Sequence, residues 1–285
     1  MTLVCAAAAL VLSFLCLFAG SSRSFIQNGD LLTLNMSRLG YIGDTFNTTD
    51  GDGGFLDNLI NDAQDSVNGL INDATTEIAS QLNISDFYSV HIMNYCEGMF
   101  EPNGTIATEG DDVSKNTTYC SPRTALFHFN VTEVVQDALP GDITLGDIQW
   151  PDEVTDAQDA VRAASIAAVV LYAVGIGFTG LALIGAVFGF FTSGRLSACC
   201  NVIVDLLAFI ALAAASAVAT VVIIKAVDAL NQYGDSIGVS AKRGTLFLGM
   251  TWAAAGLMLI ASIVSIVQLI RGRKHGGYIS EMKER

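Results

Sequence analysis

Four long apolar runs set the pattern of this chain: Thr2–Gly20, Ala163–Phe191, Leu196–Ile224 and Thr245–Ile270, with Asp205 in the third as the one charged residue inside them. A helix needs roughly 20 apolar residues to cross about 30 Å of hydrocarbon. The last three runs exceed that length. The first admits two readings, a signal peptide cut near Ala19-Gly20-Ser21 or a retained helix. No Lys or Arg precedes it, and it outruns the short core of an ordinary signal peptide, which favours the retained helix.

The polar interval 23–162 has its own rhythm. Ser24–Gly54 reads as a loop. It ends in Asp50-Gly51-Asp52-Gly53-Gly54, which partly matches a calcium loop, but Asn61 stands where the bidentate acid is needed. Phe55–Leu82 places Leu59, Ile60, Ala63, Val67, Leu70, Ile71, Ala74 and Ile78 at helical spacing, so an amphipathic helix is expected there. Its stripe covers either the domain's own core or a neighbouring protomer. The aromatic-rich stretch Asp86–Gly98 predicts a short strand or packed turn, and Thr132–Leu139 a short helix stopped by Pro140-Gly141. The acidic start of Asp152–Arg162 suits a helix N-terminus running into the second apolar run.

Six sequons lie in this interval, at Asn35, Asn47, Asn83, Asn103, Asn116 and Asn130, and none lies in or after the three later runs. A sequon is used only in the secretory lumen. The interval is therefore expected outside the cytosol, as a glycosylated first loop. Lys and Arg agree: Arg195, Arg271, Arg273, Lys274, Lys283 and Arg285 lie on one side of the spans, and only Lys225, Lys242 and Arg243 in the short loop opposite. The positive-inside rule then puts the C-terminus in the cytoplasm. Between Arg23 and Arg162 there are 23 acids against three bases, so the loop carries about −20 (23 − 3) of the chain's −14, and the rest is net basic. Such a surface argues against nucleic acid as a partner.

Chemistry is sparse. Cys96 and Cys120 share the oxidising side, so a disulfide is expected between them. Cys199-Cys200 sits at the cytoplasmic mouth of the third run, a candidate site of reversible palmitoylation or simply two small helical residues. Asp205 is the intramembrane polar candidate, for pairing or for transport. Gly185 and Gly189 form a GxxxG pattern suited to close helix packing, within the bundle or between copies. Paired intramembrane acids, a phosphate loop, a nucleophile motif and metal-ligand spacing are all missing from the sequence. The expectation is no enzyme, no cofactor and no metal.

The stretch Phe87-Tyr88-Ser89-Val90-His91, then Asn94-Tyr95-Cys96-Glu97-Gly98, Tyr119-Cys120-Ser121 and Phe127-His128-Phe129, resembles the fungal PalI-type family of claudin-like membrane proteins, which includes eisosome-associated cortical-patch proteins. The Gly-Leu-Trp signature of animal claudins before the first cysteine is absent, so barrier activity is not implied. The resemblance implies an all-α, four-transmembrane-helix, claudin-like bundle with a long disulfide-bonded, glycosylated first extracellular loop. Its segments would be helix 1–22, loop domain 23–162, helices 163–192 and 196–224, short loop 225–244, helix 245–270 and cytoplasmic tail 271–285. It implies a plasma-membrane protein that organises cortical membrane domains and supports cell-wall integrity, endocytosis or morphogenesis. Its expected partners are membrane lipids, other plasma-membrane or cortical proteins, and further copies of itself. An accessory subunit of a pH or wall-stress signalling complex and a transporter using Asp205 are the alternatives.

Overall fold

The computed structural model describes residues 1–37, 85–101, 114–125, 127, 130, 152–191, 195–234 and 239–283. The expected helices Phe55–Leu82 and Thr132–Leu139 lie outside these residues. In chain order the elements are α1 (Thr2–Phe18), β1 (Leu32–Asn35), β2 (Phe87–Val90), β3 (Tyr95–Glu101), β4 (Ser114–Cys120), α2 (Asp152–Phe191), α3 (Arg195–Gly234), β5 (Ser240–Arg243) and α4 (Thr245–Lys283). The chain divides into two compact units. One holds Met1–Ala19, Ala164–Val222 and Gly244–Arg285; the other holds Gly20–Ala163 and Ile223–Arg243.

The first unit is helical. Among the described residues, three helices are long and apolar enough to cross a membrane, over Arg162–Gly189, Ser197–Gln232 and Thr245–Ile270, while α1 with 17 residues falls below that length. Small and hydroxylated side chains fill the interior: Ala6, Ala9, Ser13 and Cys16 of α1, Thr179 of α2, Ala211, Ala215 and Ser216 of α3, and Ala254, Ala255, Ala261 and Ser262 of α4 are buried. Large side chains such as Val174, Leu181, Ile184, Ile203, Ile210, Leu259 and Ile263 face outward. In lipid, association cannot draw on expelling water, so helices gain by approaching closely over small residues. A run of exposed aliphatic side chains on a water-soluble bundle would aggregate.

The second unit overturns the expected all-α class. It contains a five-stranded antiparallel sheet in the order β4-β3-β2-β1-β5. Ser24–Gly54 is accordingly not all loop, because it supplies β1, an interior strand of the sheet, with Leu34 opposite Tyr88 on one side and Ala241 on the other. The short loop after the third run also departs from expectation, since α3 continues to Gly234 and β5 follows from Ser240. Of these strands, β2 falls within Asp86–Gly98, where a short strand or packed turn is expected, while β1 escapes a sequence reading. Both β1 and β2 are buried at every position, so neither shows the alternation that marks a half-exposed strand.

Two details shape the sheet. An irregularity falls between Glu97 and Gly98, and a Cβ at Gly98 would lie 2.0 Å from the Asn116 backbone oxygen. Only glycine lets β4 approach there. At the other end, the Asn231 side chain of α3 donates to Ala241 O (3.1 Å) and accepts from Ala241 N (2.6 Å). It copies a neighbouring strand and so blunts the β5 edge against further pairing.

Candidate functional site

Two polar clusters stand out, one in each unit. The sheet cluster lies on the face that carries Thr33, Phe87, Ser89, Cys96, Phe100 and Lys115, which share a side by register. Lys115 Nζ on β4 donates to Thr33 Oγ1 on β1 at 2.7 Å. In a flat sheet three inter-strand steps would separate these strands by roughly 14 Å, so this face must be strongly concave. Thr33 in turn donates to Asp30 Oδ2 and lies 3.2 Å from Ser89 Oγ. The Lys115 ammonium also sits 5.4 Å from the centre of the Phe87 ring, which packs at a tilt against Phe100. Lys115 as a whole is exposed, but desolvation of its ammonium beside Phe87 pushes its pKa below the ordinary value, with Asp30 pulling the other way and Lys242 reinforcing it. A hydroxyl held between an amine and a carboxylate is an arrangement that also activates nucleophiles. Here Thr33 is only 6% exposed and sits in β1, which is paired on both edges, and this suits bracing and not attack.

His91 follows β2 and is 1% exposed. Its ring packs on Gly20, whose φ of +68° is open to glycine, and a Cβ there would fall 2.2 Å from the imidazole. Neither ring nitrogen has a hydrogen-bond partner among the described residues. Burial lowers the His91 pKa, outweighing Asp30 and the Gly29 backbone, which favour the charged form, while Lys115 disfavours it. Asn94 completes the joint. Its Nδ2 donates to Gly20 O (2.8 Å), and Asn94 O accepts from His91 N (2.8 Å). Two residues on, Cys96 is bonded to Cys120 directly across β3 and β4, with S–S 2.08 Å. Ser121 ties in the other end by accepting from Tyr95 N at 3.1 Å. The run His91-Ile92-Met93-Asn94-Tyr95-Cys96 is thus a single clamp around Gly20.

In the helical unit the polar groups on α3 point to two different neighbours. Asn201 Nδ2 donates to Gly185 O on α2 at 3.1 Å. A Cβ on Gly185 would lie 2.3 Å from Asn201 Oδ1, and one on Gly189 3.0 Å from Nδ2. The GxxxG pattern is a seat for the Asn201 side chain. Gly177, Gly180 and Gly249, which share its small-residue character, face open space. One turn along α3, Asp205 is 4% exposed and accepts a hydrogen bond from Ser265 of α4 at 2.6 Å. Ser216 and Thr251 make a second α3–α4 contact at 2.8 Å. Intramembrane polar residues commonly pair across helices in this way.

The remaining candidates are spread out. Cys199 and Cys200 are exposed on α3. Asn35 is buried in β1, Asn116 is exposed on β4, Asn130 is half-buried, and Asn47, Asn83 and Asn103 lie outside the described residues. No group of three or more metal-ligating side chains occurs among the described residues. The sequence reading missed Asp30, Thr33 and Lys115 as a group, because they lie far apart in the chain and only the curl of the sheet unites them. His91 and Asn94 were visible as part of a motif, though not their hold on Gly20.

An apolar helical unit with small residues inside, joined in one chain to a disulfide-braced sheet, defines a membrane protein. The chain belongs to the SUR7/PalI family, which matches it over residues 1–264. No curated protein and no solved structure matches it.

Proposed function

We propose that this protein is a non-enzymatic, four-span plasma-membrane protein that organises cortical domains of the fungal membrane, of the eisosome type, and thereby supports cell-wall integrity, endocytosis or morphogenesis. Family membership supports this reading. The observation that carries it is the composition of the helical unit. Its polar groups are spent on holding helices together, Asn201 on Gly185, Asp205 on Ser265 and Ser216 on Thr251, which suits a scaffold. In this reading α1 is the fourth span, both termini face the cytoplasm, and the sheet unit faces outward. Lipids, neighbouring cortical proteins and further copies of the chain are the partners.

A second reading, an accessory subunit of a surface complex that responds to ambient pH or wall stress, is favoured by one observation. His91 is buried against Gly20, and neither ring nitrogen meets the hydrogen-bond geometry with a partner among the described residues. Imaging a tagged chain in living fungal cells separates the two. Clustered, immobile cortical patches support the scaffold. A diffuse membrane signal, with co-purification of a multi-helix receptor, would favour the signalling subunit.

A further inference from the structure

Two sequons seen in place differ sharply. Asn35 sits in β1, which is paired on both edges, opposite Phe87 of β2 and Ser240 of β5. It is 6% exposed. Its Oδ1 accepts hydrogen bonds from the backbone N (3.0 Å) and hydroxyl (2.7 Å) of Ser37, the residue that completes its own sequon. Asn116 lies in β4, which ends the sheet, and it is exposed. Directly across from it is Met99, 42% exposed, and next along the same face is Tyr119, 44% exposed. Thr118, whose hydroxyl completes the sequon, is exposed and donates only a long 3.3 Å bond to Glu97 O.

We infer that Asn116 carries an N-linked oligosaccharide and that Asn35 carries none in the folded protein. In the transfer, the Asn116 amide nitrogen displaces the diphosphate of a lipid-linked oligosaccharide. The sugar C1–N bond forms, the C1–O bond to the lipid diphosphate breaks, and the amide gives up one proton. The product suits the place. The apolar faces of the first sugars cover Met99 and Tyr119, and the bulk beside β4 shields the outer edge of that strand, which pairs with no other strand among the described residues. At Asn35 the same group would have to enter a close-packed sheet interior. A chain modified there could not seat β1 between β2 and β5.

The inference rests on the outward orientation proposed above. The full chain, purified from fungal membranes, is treated with a glycan-releasing amidase in ¹⁸O-water, which turns each glycosylated Asn into labelled Asp. Peptide mass spectrometry then reads each site. We expect label at Asn116 and unmodified Asn at Asn35, with Asn116→Gln removing one step of glycan-dependent gel mobility. Label at Asn35, or label at other sequons with Asn116 unmodified, overturns the inference while leaving the orientation intact. Absence of label at all six sequons overturns the outward orientation, and this inference with it.

Discussion

The two units of this chain solve opposite solvation problems. The helical unit turns many of its large aliphatic residues outward and buries Ala, Ser, Thr and Asp205 together with a few large side chains such as Leu212 and Met258. The sheet unit buries Phe87 and Phe100 on a face that also holds Asp30, Thr33, Ser89 and His91. Lipid allows the first arrangement, because an aliphatic surface costs nothing there and a polar contact holds helices that hydrophobicity cannot. Water demands a core from the second, but strands of four to seven residues bury little apolar area. Covalent and polar braces make up the difference.

The largest test of that contrast is removal of the covalent brace. Cys96→Ser with Cys120→Ser opens a loop with a sequence separation of 24, which should cost the sheet unit roughly 3 kcal/mol on chain entropy. Hydrogen exchange on the detergent-solubilised chain should lose protection across β2, β3 and β4. The Ser216 and Thr251 region of α3 and α4 should keep its protection. Equal loss in both units would break the distinction drawn between them.

The converse test overpacks the helical unit. Gly185→Leu places a side chain where Asn201 sits, since even a Cβ would lie 2.3 Å from Oδ1. Overpacking of this kind costs about 1–3 kcal/mol, and Asn201 would also lose its bond to Gly185 O. Thermal unfolding in detergent should fall, with the exchange pattern of β1–β4 unchanged. A fully tolerated leucine would mean that the glycine pattern serves contacts outside this chain.

The contrast also extends to what could be read from sequence. The helical unit was legible because uninterrupted apolar runs have one physical meaning at that length. The extension of α3 to Gly234 was not, since Lys225 and Asp228 look like loop residues, and that end of the helix belongs to the sheet unit. Cys96 and Cys120 were legible as chemistry, through compartment. The clamp around Gly20 was not, because a histidine flanked by Val90 and Ile92 looks the same whether paired or orphaned. β5 gave no signal at all. Ser240-Ala241-Lys242-Arg243 has neither β-branched nor aromatic residues, and becomes a strand only because β1 and Asn231 take up its backbone groups.

A smaller effect concerns pH. His91 is held below its ordinary pKa of 6.5 by burial, with Asp30 and the Gly29 backbone opposing and Lys115 assisting. Above pH 6.5 the imidazole is neutral whether the chain is folded or not, and the sheet unit has its full stability. As pH falls through 6.5 the unfolded chain takes up the proton first, so stability falls with it, until the lowered folded value is reached. Glu97 opposes this at more acid pH. Burial raises its pKa from the ordinary 4.5, with a Tyr88 hydrogen bond opposing, so it adds stability below 4.5 that is lost as pH rises through the folded value. Thermal melts from pH 7.5 to pH 5.5 should therefore show a falling midpoint, as stability falls by up to about 1.4 kcal/mol per pH unit below 6.5. In His91→Gln that slope should flatten. An NMR titration of the His91 ring in the unaltered chain provides a check that does not depend on the variant folding, and a value at or above 6.5 would remove the clamp's claim to pH sensitivity.

The smallest effect belongs to the one ion pair among the described residues. Arg243 Nη2 lies 2.8 Å from Asp228 Oδ1, with the two side chains 44% and 55% exposed. It joins β5 to the end of α3 beside the Asn231 contact, so it could look like the anchor of that strand. Exposed pairs contribute only about 0.2–1 kcal/mol and are screened by salt. Asn231, which satisfies both backbone groups of Ala241, should matter more, because its loss leaves a half-buried donor and acceptor unpaired. Asn231→Ala should therefore speed exchange at Ala241 at any ionic strength. Arg243→Ala should do so weakly at low salt and hardly at all at 0.5 M. If the arginine variant proves the more damaging at high salt, β5 is held by charge and not by backbone mimicry, and the edge beyond it is less protected than its hydrogen bonds suggest.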